Sequence, residues 1–236
     1  MAKRKDIEEI YEDSNREYFA AEEIPLGPWT SYSLIHDPKH MCFAISRYKF
    51  CSKMLAKKKI VMEVGSGDGF GLPILAQVAD KIIAVDWDKR LLDGNARRLS
   101  HLKNVEYVHM DLNKNDKFPD VEVDAAVAID VIEHLDPATE STFLENTIRC
   151  LKPNGVFMIG TPNKTAEEYA SYWVAKQHIN LKTMDSLCEI TERYFENVFM
   201  FGMNDEVVHT GYAPMCHFIW TMGVGVKKEW QKPFEK

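Results

Sequence analysis

The chain has 236 residues, 45% of them hydrophobic and 28% charged, with a formal net charge of −7. That length fills one α/β domain with additions and leaves no room for a second full domain. The acidic balance weighs against a nucleic-acid partner, since phosphate binding calls for a basic face, and no apolar run reaches the roughly 18 residues that a membrane span needs.

The start, Met1-Ala2-Lys3-Arg4-Lys5-Asp6, is charged and has no apolar stretch behind it, so no signal peptide is expected. Five cysteines (Cys42, Cys51, Cys150, Cys188 and Cys216) are scattered and never spaced Cys-x-x-Cys. Neither a disulfide framework nor a thiolate zinc site is expected, and a cytoplasmic location follows.

Residues 5–19 read as an amphipathic helix with Ile7, Ile10, Tyr11, Tyr18 and Phe19 as its apolar members. Pro25, Gly27-Pro28 and Asp37-Pro38 predict a loop over 20–38. A second helix is expected over 40–55, with Met41, Ala44, Ile45, Tyr48 and Leu55 on one face. From residue 60 strand and helix patterns alternate. Strands are expected at 60–64, 81–85, 105–109, 125–129 and 156–160, and helices at 71–79, 88–99, 138–151, 165–176 and 183–194. Such alternation implies parallel strands joined by right-handed crossovers. The tail differs. Val198-Phe199-Met200-Phe201 and Met215-Cys216-His217-Phe218-Ile219-Trp220 are strand-like runs, expected to pair antiparallel at one sheet edge. One domain results: a helical N-terminal lid over 1–57, a core over 58–165, and an insert with hairpin over 166–236.

The stretch Val61-Met62-Glu63-Val64-Gly65-Ser66-Gly67-Asp68-Gly69-Phe70-Gly71 organises this core. A buried strand runs into three glycines, which admit positive φ and close approach of a ligand to the backbone. A helix N-terminus with free N–H groups stands behind them. The dinucleotide fingerprint wants its third glycine three residues after the second; Phe70 holds that position, and the third glycine comes early at Gly69. Asp86, about 20 residues past the loop at a strand end, has the spacing of an acid that accepts from both ribose hydroxyls, while Asp88 suits a helix N-cap. His134 falls just beyond the fourth strand, where open α/β sheets place ligands. Its ordinary pKa near 6.5 suits a general base, although capping or packing is an equal use for a histidine there. Asp130 and Glu133 beside it read as cofactor-facing or solvated.

The Glu-x-Gly-x-Gly-x-Gly pattern resembles motif I of the class I S-adenosylmethionine-dependent methyltransferases. The runs from Asp124 to Leu135 and from Leu151 to Asn163 resemble the later motifs of the small-molecule members, especially the ubiquinone-biosynthesis type, so the resemblance covers about residues 58–165. It implies a Rossmann-like, seven-stranded methyltransferase sheet: five parallel strands plus a C-terminal antiparallel hairpin. It implies S-adenosylmethionine as cofactor, with S-adenosylhomocysteine as product. The implied cofactor contacts are Glu63, Gly65, Gly67, Gly69, Asp86, Trp87, Asp111 with the backbone of Leu112 at the adenine, Ile129, and Arg47 at the methionine carboxylate. Met110 or Trp87 would wall the ring, and Trp29, Tyr11 and Tyr18 are candidate lid residues. His134, His178 and His209 are the candidate bases for a hydroxylated small-molecule acceptor. His178, His209 and His217 are too dispersed for a short ligand motif, and no metal is expected. The segments Asp37-Pro38-Lys39-His40, Ser46-Arg47-Tyr48-Lys49-Phe50 and 204–211 are similar to bacterial methyltransferases of surface-polysaccharide assembly, which points to O-methylation of a sugar, nucleotide-activated or phosphate-derived building block. An N-methyltransferase of an amino sugar or small amine, a nicotinamide oxidoreductase and a non-catalytic partner subunit remain alternatives, with monomer and homodimer both open.

Overall fold

The computed structural model describes residues 7–114, 121–170 and 172–231. The charged start, the first two residues of the helix expected from residue 5, and residue 171 within the helix expected over 165–176 lie outside these residues. Three helices come first: α1 (Ile7–Ala20), α2 (Pro28–His36) and α3 (Pro38–Met54). Helix α2 occupies part of the expected loop. Pro28 sits at its first position, where the missing N–H costs nothing and the fixed φ favours a start. A proline that reads as a breaker here opens a helix.

The alternating core follows: β1 (Ile60–Val64), α4 (Leu72–Ala76), β2 (Lys81–Asp86), α5 (Lys89–Arg98), β3 (Val105–His109), β4 (Val123–Ile129), α6 (Glu140–Ile148) and β5 (Leu151–Pro162). Asp88 caps α5 by accepting from the Arg90 N–H at 2.9 Å, as its position predicts. Strand β5 starts earlier than expected. Its pairing with β4 slips between Val123 and Ala125, and this irregularity absorbs Pro153-Asn154-Gly155 within the strand. After α7 (Tyr172–Gln177) and α8 (Met184–Glu192) come β6 (Phe195–Asn204), β7 (Val207–His209) and β8 (Phe218–Val226). A 3-10 turn at Lys164–Tyr169 replaces the start of the expected 165–176 helix.

Among the described residues the strands form one sheet in the order β3-β2-β1-β4-β5-β8-β6-β7. The first five are parallel, and the last three add antiparallel. The expected α/β Rossmann-like fold is present, with eight strands instead of seven. The expected terminal hairpin is corrected in placement: β8 lies inside, between β5 and β6, and the short β7 forms the edge. Met215 belongs to a 3-10 turn, and the strand begins at Phe218.

Side chains alternate across this sheet into two cores. Val61, Ile82, Ala84, Val127, Met158 and Trp220 face Cys51 and Leu55 of the α3 end and Leu72 and Leu75 of α4. Met62, Val64, Ile83, Val85, Ala128 and Phe157 face Phe143, Leu144, Leu187 and Ile190 of α6 and α8. Between β1 and β4 the strand order reverses. Crossovers leave in opposite directions there, and the gap opens a crevice at the carboxyl ends of the strands.

Candidate functional site

The loop after β1 is held from three sides. Gly65 and Ser66 donate backbone N–H bonds to the Val85 carbonyl at 2.8 and 3.1 Å. Gly65, Gly67 and Gly69 take φ of +73°, +52° and +75°, a region that side chains rarely enter. Behind the loop, fully buried Asn95 of α5 donates through Nδ2 to the Gly67 carbonyl at 2.9 Å, and Arg98 donates to the Asp68 carbonyl at 3.1 Å. In front, Asp68 accepts from the Thr30 N–H at 2.8 Å and its hydroxyl at 3.2 Å. Those bonds seat the first turn of α2 against the loop. A Cβ on Gly67 would come within 2.6 Å of the Trp29 ring.

A cavity of about 570 Å³ opens over the crevice, of a size that takes a nucleotide-like ligand. Its wall brings together Gly65, Asp86, Trp87, Asp111, Leu112 and His134 among the residues singled out from sequence, with Met110 and Trp29 beside them. Asp86 is buried, and each carboxylate oxygen accepts one backbone N–H at 2.8 Å, from Gly67 and from Asp88. A carboxylate offers further lone pairs for a ligand hydroxyl. Asp111 accepts from the Asn113 N–H at 3.0 Å and pairs with Lys114 at 2.8 Å. Partial burial works to raise its pKa, but Lys114 and Asn113 outweigh it and hold the group below the usual carboxylate range. Asn113 also lines this end of the cavity, and its buried Oδ1 has no partner among the described residues.

Other expected contacts are placed elsewhere. Glu63 is buried under the loop, on the α3 side of β1, where it accepts the Tyr48 hydroxyl at 2.7 Å. Burial pushes its pKa up to about 8, against the lowering effect of that hydrogen bond. Gly67 and Gly69 shape the loop from behind the wall. The Ile129 side chain points into the core shared with Val127. Arg47 is buried with its guanidinium 3.9 Å above the Phe218 ring, and it donates to Asp130 at 2.5 Å. It reaches the cavity only through that aspartate. His209 sits on edge strand β7, its Nδ1 accepting from the Gly211 N–H at 2.9 Å. It is not part of the wall.

Asp130, Val131, Leu91, Phe143 and Gln177 also line the wall. Leu91 and Phe143 carry the same apolar periodicity as core residues, so nothing in the sequence separates them. Asp130 owes its place to a φ of +54° just past β4, which turns its carboxylate back toward the crevice.

One corner of the cavity is more polar. His134 ends a 3-10 turn at Ile132–His134, and its Nδ1 lies 3.1 Å from the Gln177 carbonyl. A carbonyl only accepts, so Nδ1 is the donor of this bond and Nε2 is the ring nitrogen left for another partner. Glu133 is fully buried. Its Oε2 accepts the Thr161 hydroxyl at 2.9 Å, whereas Oε1 has no hydrogen-bond partner and lies 4.0 Å from His134 Nε2. Burial, then the charge of Asp130, raises Glu133 well above the ordinary carboxylate pKa. The His178 ring meets the His134 ring edge-on at 5.0 Å between centroids. Burial and the neighbouring imidazole lower the His178 pKa. Asn180 staples this segment down: its N–H donates to the Glu133 carbonyl at 3.0 Å and its amide to Glu140 at 2.7 Å.

The comparisons agree with this layout. A family model described as a methyltransferase domain matches residues 62–159. A probable S-adenosylmethionine-dependent methyltransferase of Mycolicibacterium smegmatis is 35% identical over 104 residues, covering 44% of this chain and 38% of that protein. A ubiquinone biosynthesis O-methyltransferase of Rickettsia typhi is 25% identical over 154 residues, 63% of this chain and 59% of its own length. The chain thus spans less than two thirds of these relatives. The crystal structure of a possible histamine N-methyltransferase from Thermotoga maritima superposes with a TM-score of 0.63 at 19% identity, over 92% of this chain and 98% of the other. That likeness carries the fold.

Proposed function

We propose that the chain acts through a class I S-adenosylmethionine-dependent methyltransferase domain, a reading supported by the family model over residues 62–159 and the named relatives, and that it methylates a hydroxyl of a small polar acceptor: a sugar, nucleotide-activated or phosphate-derived building block of a bacterial surface polysaccharide. The observation that carries the hydroxyl is the polar corner, where His134 lines the cavity with its Nδ1 engaged by the Gln177 carbonyl. The Rickettsia relative's name as an O-methyltransferase supports it, and the polysaccharide rests on the resemblance of residues 37–40, 46–50 and 204–211.

The residues present fit the cofactor. The positive-φ glycine turn lets the backbone approach a ligand, buried Asp86 has lone pairs for the ribose hydroxyls, and the orphaned Asn113 Oδ1 beside Asp111 is an acceptor for the adenine amino group. When bound, S-adenosylmethionine supplies an electrophilic methyl group on a sulfonium. The chain supplies position: Trp29 of α2 rests against the glycine loop and joins the cavity wall. Transfer would join the acceptor oxygen to the methyl carbon, with the carbon–sulfur electron pair left on sulfur. The hydroxyl proton would leave toward His134 Nε2.

Calorimetric titration with S-adenosylhomocysteine, followed by transfer from labelled S-adenosylmethionine to a panel of sugars, nucleotide sugars and amines, tests this reading. Binding with transfer to hydroxylated acceptors is expected. Failure to bind would remove the methyltransferase reading, and transfer to amines alone would replace O-methylation by N-methylation.

A further inference from the structure

Glu133, His134 and His178 come from a turn and a segment distant in sequence, yet each offers a ligand atom within 4.8 Å of the other two. Two imidazoles and a carboxylate are a ligand set that divalent zinc, iron, cobalt and manganese accept, with coordination positions left open.

We propose that Glu133, His134 and His178 bind a divalent transition-metal ion at the acceptor corner of the cavity. Two observations beyond proximity point to a ligand. Glu133 Oε1 is a fully buried carboxylate oxygen without a hydrogen-bond partner, and it faces His134 Nε2 at 4.0 Å. A buried oxygen left in that state is costly unless something positive meets it. The surroundings also orient His134 and Glu133 as metal ligands are usually oriented, and tie the His178 segment down beside them. The Gln177 carbonyl holds His134 Nδ1, so its lone pair is on the nitrogen facing the carboxylate. Thr161 fixes the other oxygen of Glu133, and Asn180 ties the backbone of the His178 segment to Glu133. Metal–ligand distances of about 2.0–2.2 Å put neighbouring ligand atoms roughly 3–4 Å apart, so side-chain rotations of about an ångström close the site.

His134 lines the cavity and His178 does not, so the open positions of such an ion face the acceptor region. An ion there acidifies a bound hydroxyl, and His134 Nε2 then serves as ligand in place of free base. That role rests on the proposed methyl transfer; ion binding itself does not.

The test uses the chain after chelator treatment, titrated with Co²⁺ and followed by visible absorption and calorimetry, with S-adenosylhomocysteine binding measured on the same samples. One equivalent of cobalt is expected. His178→Ala and the near-isosteric Glu133→Gln should each weaken cobalt binding at least about tenfold, with His101→Ala unchanged and S-adenosylhomocysteine affinity retained in His178→Ala as the check on folding. No cobalt binding up to millimolar concentration, or binding equally strong in both variants, overturns the proposal. Cobalt binding without S-adenosylhomocysteine binding supports the ion and removes the methyl-transfer reading; the converse pattern removes only the ion.

Discussion

The two sides of the cavity are built on different principles. The side formed by β1, β2 and the glycine loop is closed by backbone: Asp86, Asn95 and Asp68 each spend side-chain hydrogen bonds on main-chain groups. The side formed by the turn after β4 and residues 177–180 is closed by side chains, and it keeps a buried carboxylate oxygen unpartnered. A surface assembled from backbone recognises one constant ligand, whereas side chains can be exchanged as the acceptor changes. On the proposed function the first side binds and the second reacts, and substitutions should separate them.

The largest effect is expected at the reacting side. His134→Ala removes the proposed base, and turnover should fall by about a hundredfold to ten-thousandfold, while S-adenosylhomocysteine affinity stays within about threefold. Steady-state kinetics and calorimetry on one preparation check it. An equal loss of cofactor affinity would mean that the two sides are not separate.

Asp86→Ala should do the reverse. It strips two buried backbone N–H groups, on Gly67 and Asp88, of their acceptor and removes the proposed ribose contact. Cofactor affinity should drop about a hundredfold by calorimetry, since each charge-assisted bond carries a few kcal/mol at most. Unchanged affinity would move the cofactor away from this wall. Trp29→Ala tests the cover. The ring is 59% exposed and rests against Gly67, so its loss should weaken the cofactor about fivefold, mainly through faster dissociation. Tyr18→Ala, on an exposed part of α1, should leave that rate unchanged.

The binding side was also the legible one. β1 and β3 begin and end where their apolar runs do, and the glycine spacing correctly announced a turn of positive φ, because those features are local. Helix α2 was hidden because Gly27-Pro28 is as good a helix start as a break. Edge strand β7 is only three residues long, and its Val207-Val208-His209 run looks like any loop until β6 pairs with it. The meeting of His134 with His178 depends on Asn180 reaching back to Glu133. No periodicity encodes such a bond. The resemblance puts Arg47 at the methionine carboxylate, whereas its partner within the chain, Asp130, is set by a tertiary contact.

The smallest effect expected concerns stability and belongs to the binding side. Glu63 is buried beneath the loop, and its pKa of about 8 lies above the ordinary 4.5. Between those values the folded chain keeps a proton that the unfolded chain has released. Raising the pH therefore favours unfolding across this window, and the penalty levels off above pH 8. Glu63→Gln keeps the shape and a carbonyl oxygen for the Tyr48 hydroxyl, but it carries no proton to lose. Its melting temperature should fall less steeply than wild type between pH 5 and 8, with a gain on the order of 5 °C at pH 8. Thermal denaturation of both proteins across that range reads the difference, in which every other titrating group cancels. Parallel curves would mean that Glu63 is ionised in the folded protein, and that the floor of the glycine loop holds a negative charge instead of a neutral acid.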